Sequence, residues 1–431
     1  MFKRMFKGDA GNVFKGMLTL LVGASFARVV GLLSIPILTR IYSPEDFGVL
    51  ALYAAFIVVL VPVMTLRYVQ AIPLPKTDIM AFNLFSVCLK LIGFFSIVLI
   101  LVLAVWAEPI LGWFDMGALL PWWWLIVIGV IGAALYELFS LWATRKKDYK
   151  VIAKTQFSQS LIGNIAKIGF GLLELKPFGL IAGQFLSQSA GITGFIKAAS
   201  QDFKTYLPGI KKSKERLVVK YYQDFVWYRL PSQFLMVLSV QAPVMMIAVL
   251  YTSEQVGQFG LAKMALMVPA GLIGAAISNA YYAEVASIGK RDYGKIKKIT
   301  WAVQKKVLVI AAAPLLIFSV FSPALFSLIF GDEWVVAGQY ARVLTPYIIL
   351  MLVSTPLVQV LNIVGSQRVF LVINVARVLM LGALFGLAKV FEMTAFEFVV
   401  WFSFVSVGYS VFQMAMVVLY VNRAAQAVQD M

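Results

Sequence analysis

The sequence predicts an all-α polytopic membrane protein, with about twelve transmembrane helices in two six-helix lobes and a central cavity. Three observations carry this expectation. Of 431 residues, 61% are hydrophobic and only 13% charged, against roughly 25% charged in an ordinary soluble domain. The apolar residues come in long runs of the length that crosses a hydrocarbon core, about 20 residues for about 30 Å. The basic residues, 37 Lys and Arg against 20 Asp and Glu for a net charge of +17, fall mostly into alternate gaps between those runs.

In chain order the runs lie near 15–38, 47–66, 80–106, 119–143, 152–173, 178–199, 226–250, 256–283, 306–330, 336–363, 367–388 and 397–420. Period-two alternation is absent, and many runs exceed the roughly ten residues of a barrel strand, which rejects an outer-membrane β-barrel. The opening residues MFKRMFKGDA are basic and polar and carry no signal-peptide pattern. Trp106, Trp113, Trp122, Trp123, Trp124 and Trp334 fall at the outer ends of runs, where belt residues sit. Pro36, Pro62, Pro269, Pro314 and Pro356 imply kinks within helices.

Orientation follows from the basic residues. With the N-terminus in the cytoplasm, 27 of the 37 lie on the inner side, from Lys3, Arg4, Lys7 and Lys15 through Lys290, Arg291, Lys295, Lys297 and Lys298 to Arg368 and Arg423. Only Arg40, Lys176 and Lys389 lie outside. Both termini are therefore expected in the cytoplasm. The basic loops set topology and touch anionic lipid head groups; the expected partner is the bilayer, not a nucleic acid.

A polar stretch at 201–224, containing Pro208 and Gly209, separates an N-terminal lobe (1–200) from a C-terminal lobe (225–431). The lobes look duplicated. Tyr42-Ser43-Pro44-Glu45-Asp46-Phe47-Gly48 and Tyr251-Thr252-Ser253-Glu254-Gln255-Val256-Gly257 share a Tyr, hydroxyl, any, Glu, any, apolar, Gly pattern at an offset of 209. Six spans per lobe give both repeats the same membrane orientation, and such repeats place a substrate site near the midplane.

Seven cations fall within spans: Arg28, Lys90, Lys167, Arg229, Lys263, Arg342 and Arg377. A charge at this depth costs at least about 2.5 kcal/mol and marks a bundle interior or wet cavity. Arg28 lies about 18–20 Å from either end of its span at about 1.5 Å per residue. It shares a stripe with Ala24, Gly31 and Ser34. Gln156, Gln159, Ser160, Gly163, Asn164, Lys167 and Gly171 make a stronger polar stripe. Arg28, Lys167 and Arg377 are the deeper cations; Lys90, Lys263 and Arg342 are equally compatible with snorkelling to an interface, and Arg229, near the cytoplasmic end, fits snorkelling better than a cavity role. The expected substrate-binding set is Arg28, Lys167, Lys263, Arg377, Lys90 and Arg342. Fixed positive charge suits a phosphate or carboxylate. Glu137, the one acid at comparable depth, is the ion-coupling candidate.

Much chemistry is excluded. There is no His and a single Cys, Cys88, so zinc, a His relay and disulfides are out of reach. No GxxxxGK[ST] loop is present. Paired carboxylates of a membrane transferase are not seen. The chain is read as no enzyme, with no cofactor and no metal.

These residues carry a resemblance. Ile35-Pro36-Ile37-Leu38-Thr39-Arg40-Ile41-Tyr42-Ser43-Pro44-Glu45-Asp46-Phe47-Gly48 resembles the first-helix signature of the polysaccharide biosynthesis proteins, the O-antigen or lipid-linked oligosaccharide flippases of the multidrug/oligosaccharidyl-lipid/polysaccharide exporter superfamily. Leu66–Pro75 is similar to the family's following loop, with Gln70 where a Glu is common. Val256–Phe259 through Lys263 and Pro269 is similar to the start of its second lobe. The resemblance implies two six-helix lobes working by alternating access in the bacterial inner membrane, in cell-surface polysaccharide synthesis such as that of lipopolysaccharide O-antigen. It implies an undecaprenyl-pyrophosphate-linked oligosaccharide as cargo, moved from the cytoplasmic to the periplasmic leaflet. It places Arg28 and Lys263 where pyrophosphate or sugar acids are contacted, and other polysaccharide-assembly proteins as partners. Two other readings stay open: an ion-coupled drug or metabolite antiporter on the same scaffold, and, less favoured, a membrane glycosyltransferase or polymerase.

Overall fold

The turn after the first apolar run shows how local chemistry starts a helix here. Ser43 Oγ accepts from the Asp46 amide at 3.3 Å, and Asp46 Oδ2 accepts from the Ser43 amide at 3.1 Å. With Pro44 in the first helical position, that reciprocal cap satisfies two orphan donors. It separates α1 (Gly8–Ile41) from α2 (Pro44–Met64). The computed structural model describes residues 8–288, 293–364 and 367–429; Lys3, Arg4, Lys7, Lys290 and Arg291 lie outside them, as do the side chains of Lys15, Ala24 and Arg368.

The helices that follow are α3 (Asp78–Trp113), α4 (Trp124–Arg145), α5 (Tyr149–Leu172), α6 (Phe178–Ser189), α7 (Ile192–Tyr206), α8 (Lys212–Tyr221), α9 (Leu230–Leu250), α10 (Ser253–Ile288), α11 (Tyr293–Phe330), α12 (Val335–Val364), α13 (Gln367–Val390) and α14 (Ala395–Gln429). Among the described residues there is no strand. Nine of the described helices are long and apolar enough to cross a membrane. The expected spans at 15–38, 152–173 and 178–199 are not among them. The last is broken into α6 and α7 at Ala190-Gly191, where Gly191 approaches so closely that a Cβ would lie 2.7 Å from Thr155 Cβ. The second falls in α5, whose polar stripe lowers its apolarity.

The chain divides into two compact units, Met1–Leu238 and Ser239–Met431. In the first, polar groups clamp the loops. Arg145 donates from Nε to Asp78 Oδ1 at 2.8 Å and from Nη1 to the Pro75 carbonyl at 2.8 Å. Lys146 bridges Asp78 Oδ2 at 2.7 Å and Asp202 Oδ1 at 3.1 Å. Burial alone would lower the Lys146 pKa, but these carboxylates and Tyr206 outweigh it and hold the ammonium above its usual range.

The polar connection after α7 is also fastened. Asn83 donates to the Gly209 carbonyl at 3.3 Å and accepts from the Lys211 amide at 3.0 Å. Glu215 of α8 accepts from Lys90 at 2.6 Å and from Ser86 at 2.9 Å. Burial opposes ionisation of Glu215, yet those two hydrogen bonds outweigh it and depress the pKa below 4.5. A depressed carboxylate stabilises fully above its unfolded pKa and loses that contribution as pH falls through the lower folded value. The attachment of α8 is therefore expected to be intact at neutral pH and to loosen only below pH 4.5. Amide exchange of 212–221 would report it. Glu215→Gln should lower the protection factors of that segment at pH 7 to roughly those the parent shows in acid; unchanged protection would assign the attachment to the apolar contacts of Val218 instead.

Prolines shape the second unit. Pro323, inside α11, has no N–H for the carbonyl four residues back, Ser319. Arg342 of α12 supplies the donors, from Nε to Ser319 O at 3.2 Å and from Nη2 to Val320 O at 2.7 Å. Close approach of the two helices there requires Gly338, where a Cβ would lie 2.9 Å from the Pro323 nitrogen. Trp334, expected in an outer belt, is fully buried, whereas Trp113 is exposed as a belt residue should be.

Candidate functional site: a cationic cavity in the second unit

Five helices of the second unit enclose a cavity of about 140 Å³. Pro243 lies inside α9, where its missing N–H and its ring leave the carbonyls of the preceding turn less well satisfied. One of them, Val240 O, accepts from Lys263 Nζ at 3.1 Å. Lys263 projects from α10 and Arg377 from α13, and both line the same cavity. The Arg377 guanidinium lies 5.3 Å from the ring centroid of Tyr409 on α14, a cation–π contact that holds the fork in place without neutralising it. Hydroxyl and amide groups of Tyr347, Ser354, Thr355, Ser410 and Gln413 complete the polar part of the wall, and no Asp or Glu is in it. Gln413 donates to the Ser354 carbonyl at 3.4 Å, which orients its amide.

Two cations with no carboxylate in the lining, beside hydroxyl and amide groups and apolar side chains, form a receptor for an anion. Among the described residues no group of three metal-ligating side chains occurs.

The other cations named from the sequence have different surroundings. Lys167 on α5 is buried, 8% exposed, and donates to Gln184 Oε1 at 2.6 Å. The rest of the α5 stripe likewise joins helices: Ser160 donates to the Ala27 carbonyl at 2.7 Å and Gln159 to the Gln188 carbonyl at 2.7 Å. Gly163 and Gly183 let α5 and α6 approach, the small-residue packing of membrane helices. Arg28 on α1 is exposed and makes no hydrogen bond or ion pair with a described residue. Lys90 is engaged by Glu215, and Arg342, also exposed, is engaged by the carbonyls beside Pro323. Glu137 accepts at Oε1 from Arg67 Nη1 at 3.1 Å and from Gln70 Nε2 at 2.8 Å; its Oε2 is buried without a partner. The sequence reading missed Tyr409 and Gln413. Their signal was the Tyr409–Gln413 spacing of four, one face of α14 in register with Phe402 and Ser406.

Comparison with known proteins agrees with this picture. A family model described as polysaccharide biosynthesis protein matches residues 37–339. The chain belongs to that family. The resemblance carried by Ile35–Gly48 is borne out, since most of that segment lies inside the match. Members of this family are thus the frame for the fold, and solved structures extend it. A lipid II flippase MurJ in an inward closed conformation matches with a TM-score of 0.70 and 11% identity, over 94% of this chain and 90% of that one. A point mutant of the Vibrio cholerae MATE transporter VcmN matches with a TM-score of 0.58 and 15% identity, over 97% of each chain. An outward-facing multidrug resistance MATE family transporter of the MOP superfamily gives 0.57 and 15%, over 95% and 96%. At such identities the likeness establishes the fold alone, an all-α, multi-pass membrane fold. No curated protein sequence matches the chain.

Proposed function

We propose that this protein is a flippase for an anionic, lipid-linked oligosaccharide, carrying an undecaprenyl-pyrophosphate-linked sugar from the cytoplasmic to the periplasmic leaflet by alternating access. The observation that carries the reading is the acid-free cavity holding Lys263 and Arg377, in a chain of the polysaccharide biosynthesis family. A pyrophosphate leaving water loses its hydration, and two fixed cations with hydroxyl donors replace it. A cationic drug would meet repulsion in the same place. Arg28 and Lys167, in the first unit, are assigned to the same anionic cargo. Glu137 is the assigned coupling group, and its buried Oε2, which has no hydrogen-bond partner, supports the reading. The chain sits in a bacterial inner membrane with both termini cytoplasmic, a placement its basic loops support, and works beside other polysaccharide-assembly proteins without cofactor or chemistry of its own.

Vesicles containing the full-length protein test this. A polyprenyl-diphosphate-linked oligosaccharide in one leaflet should become accessible from the other faster than in protein-free vesicles, and a neutral polyprenyl-linked analogue should not. Equal transfer of the neutral analogue, or ion-driven efflux of small organic cations with no transfer of the diphosphate lipid, would overturn the reading in favour of an antiporter.

A further inference from the structure

Away from the cationic cavity, the second unit carries a larger groove of about 760 Å³ between α11, α12 and α14. Its floor is apolar, with Leu308, Leu350, Val353 and Val418 among the lining residues. Its rim is not. Lys297, Trp301 and Lys305 stand at helical spacing on one face of α11, and all three are exposed. Lys305 Nζ lies 5.3 Å from the Trp301 ring centroid. Gln304 of the same face is only 6% exposed, and its Oε1 has no hydrogen-bond partner. Asn422 of α14 lines the groove too, and its Oδ1 is likewise buried and unpaired.

These features specify a ligand. An apolar trough as large as this fits a small-molecule site of about 300–1,000 Å³, and a membrane helix bundle offers it to a hydrocarbon chain. Two ammonium groups with no carboxylate in the lining call for an anion, and basic pockets between transmembrane helices bind lipid head groups. The exposed Trp at the charged end is what marks head-group depth. Two buried amide oxygens without donors are the least expected part, because such groups cost about 1–3 kcal/mol each when left unsatisfied. A ligand that donates hydrogen bonds as well as carrying charge would satisfy them. A phosphate diester flanked by free hydroxyls supplies both.

We propose that this groove holds one phospholipid of the phosphatidylglycerol kind, its phosphate against Lys297 and Lys305, its head-group hydroxyls donating to Gln304 Oε1 and Asn422 Oδ1, and one tail along the floor. The site is separate from the cargo cavity and shares no lining residue with it. A lipid bound there holds α11 to α14 and stabilises the second unit in membranes rich in that lipid.

Thermal unfolding of the detergent-purified full-length chain, with lipid added stepwise, reads this out. Phosphatidylglycerol is expected to raise the unfolding midpoint saturably, phosphatidylcholine not at all, and phosphatidic acid, which has the charge but lacks the hydroxyls, only at higher concentration. Since each lysine near an anionic head group contributes comparably, Lys297→Gln with Lys305→Gln should raise the half-saturating concentration about thirty-fold. Lys298→Gln, exposed beside the groove but not lining it, should leave it within about three-fold. Equal stabilisation by phosphatidylcholine, or an unchanged half-saturation in the double variant, overturns the proposal. So does displacement of phosphatidylglycerol by an equimolar polyprenyl diphosphate, which would make the groove a cargo site.

Discussion

Replacing Lys263 with Met is expected to yield a protein that inserts normally, unfolds at no lower temperature than the parent, and fails to export. The two halves of that result come from the same physics. An ammonium taken out of water loses several kcal/mol of hydration, and among the described residues Lys263 recovers one hydrogen bond, to Val240 O. Methionine fills nearly the same volume without that penalty. The function moves the other way. A charge-assisted hydrogen bond to a phosphate oxygen is worth about 1.5–3 kcal/mol, so its loss lowers transfer at limiting substrate roughly 10- to 100-fold. Lys263→Arg, which keeps the charge, should retain a measurable part of the activity. A variant that lost stability together with export would show Lys263 to be a structural prop for α9 at Pro243. One that kept full export would remove the cavity from the transport cycle.

The second large effect is expected at Arg67 and Glu137. Arg67 is 8% exposed and lies in left-handed backbone with φ 61°, a conformation costly for a residue with a side chain. Its partner across the fold is Glu137 at 3.1 Å. Removing one member of a buried pair leaves the other charge uncompensated, at about 3–5 kcal/mol. Glu137→Ala and Arg67→Ala should each lower the unfolding midpoint strongly, and the double variant should lie above the sum of the two. Additive losses would mean the pair is not coupled. Glu137→Gln keeps an acceptor for Gln70 and is expected to remain folded; in vesicles it should lose any dependence of transfer on an ion gradient. Full gradient-driven transfer in that variant would take Glu137 out of the coupling role.

The legible parts of the fold were those that depend on periodicity and on residues close in the chain. The run of hydrophobic spans is of this kind, because the bilayer imposes its demand locally. Which cations fall within apolar runs was legible too, but not their partners. Nothing in the sequence joins Lys90 to Glu215, 125 residues away, and nothing near Arg342 announces that it tends carbonyls exposed by a proline on another helix. Depth is a property of one helix, while pairing is a property of two. The same limit explains the α5 stripe. A polar face reads alike whether it borders water or another helix, and here Gln159, Ser160 and Lys167 bond neighbouring helices. Lys263 was singled out by the family resemblance and Arg377 by its helical stripe, and their shared wall with Tyr409 came only from three helices meeting.

Cys88, the lone thiol of the chain, lies fully buried in α3. A maleimide added from either side of the membrane therefore has nothing native to react with. Cysteines introduced one at a time at loop or wall positions become unique labels in an otherwise unaltered background, so sidedness and exposure during turnover are open to direct mapping without first constructing a thiol-free parent.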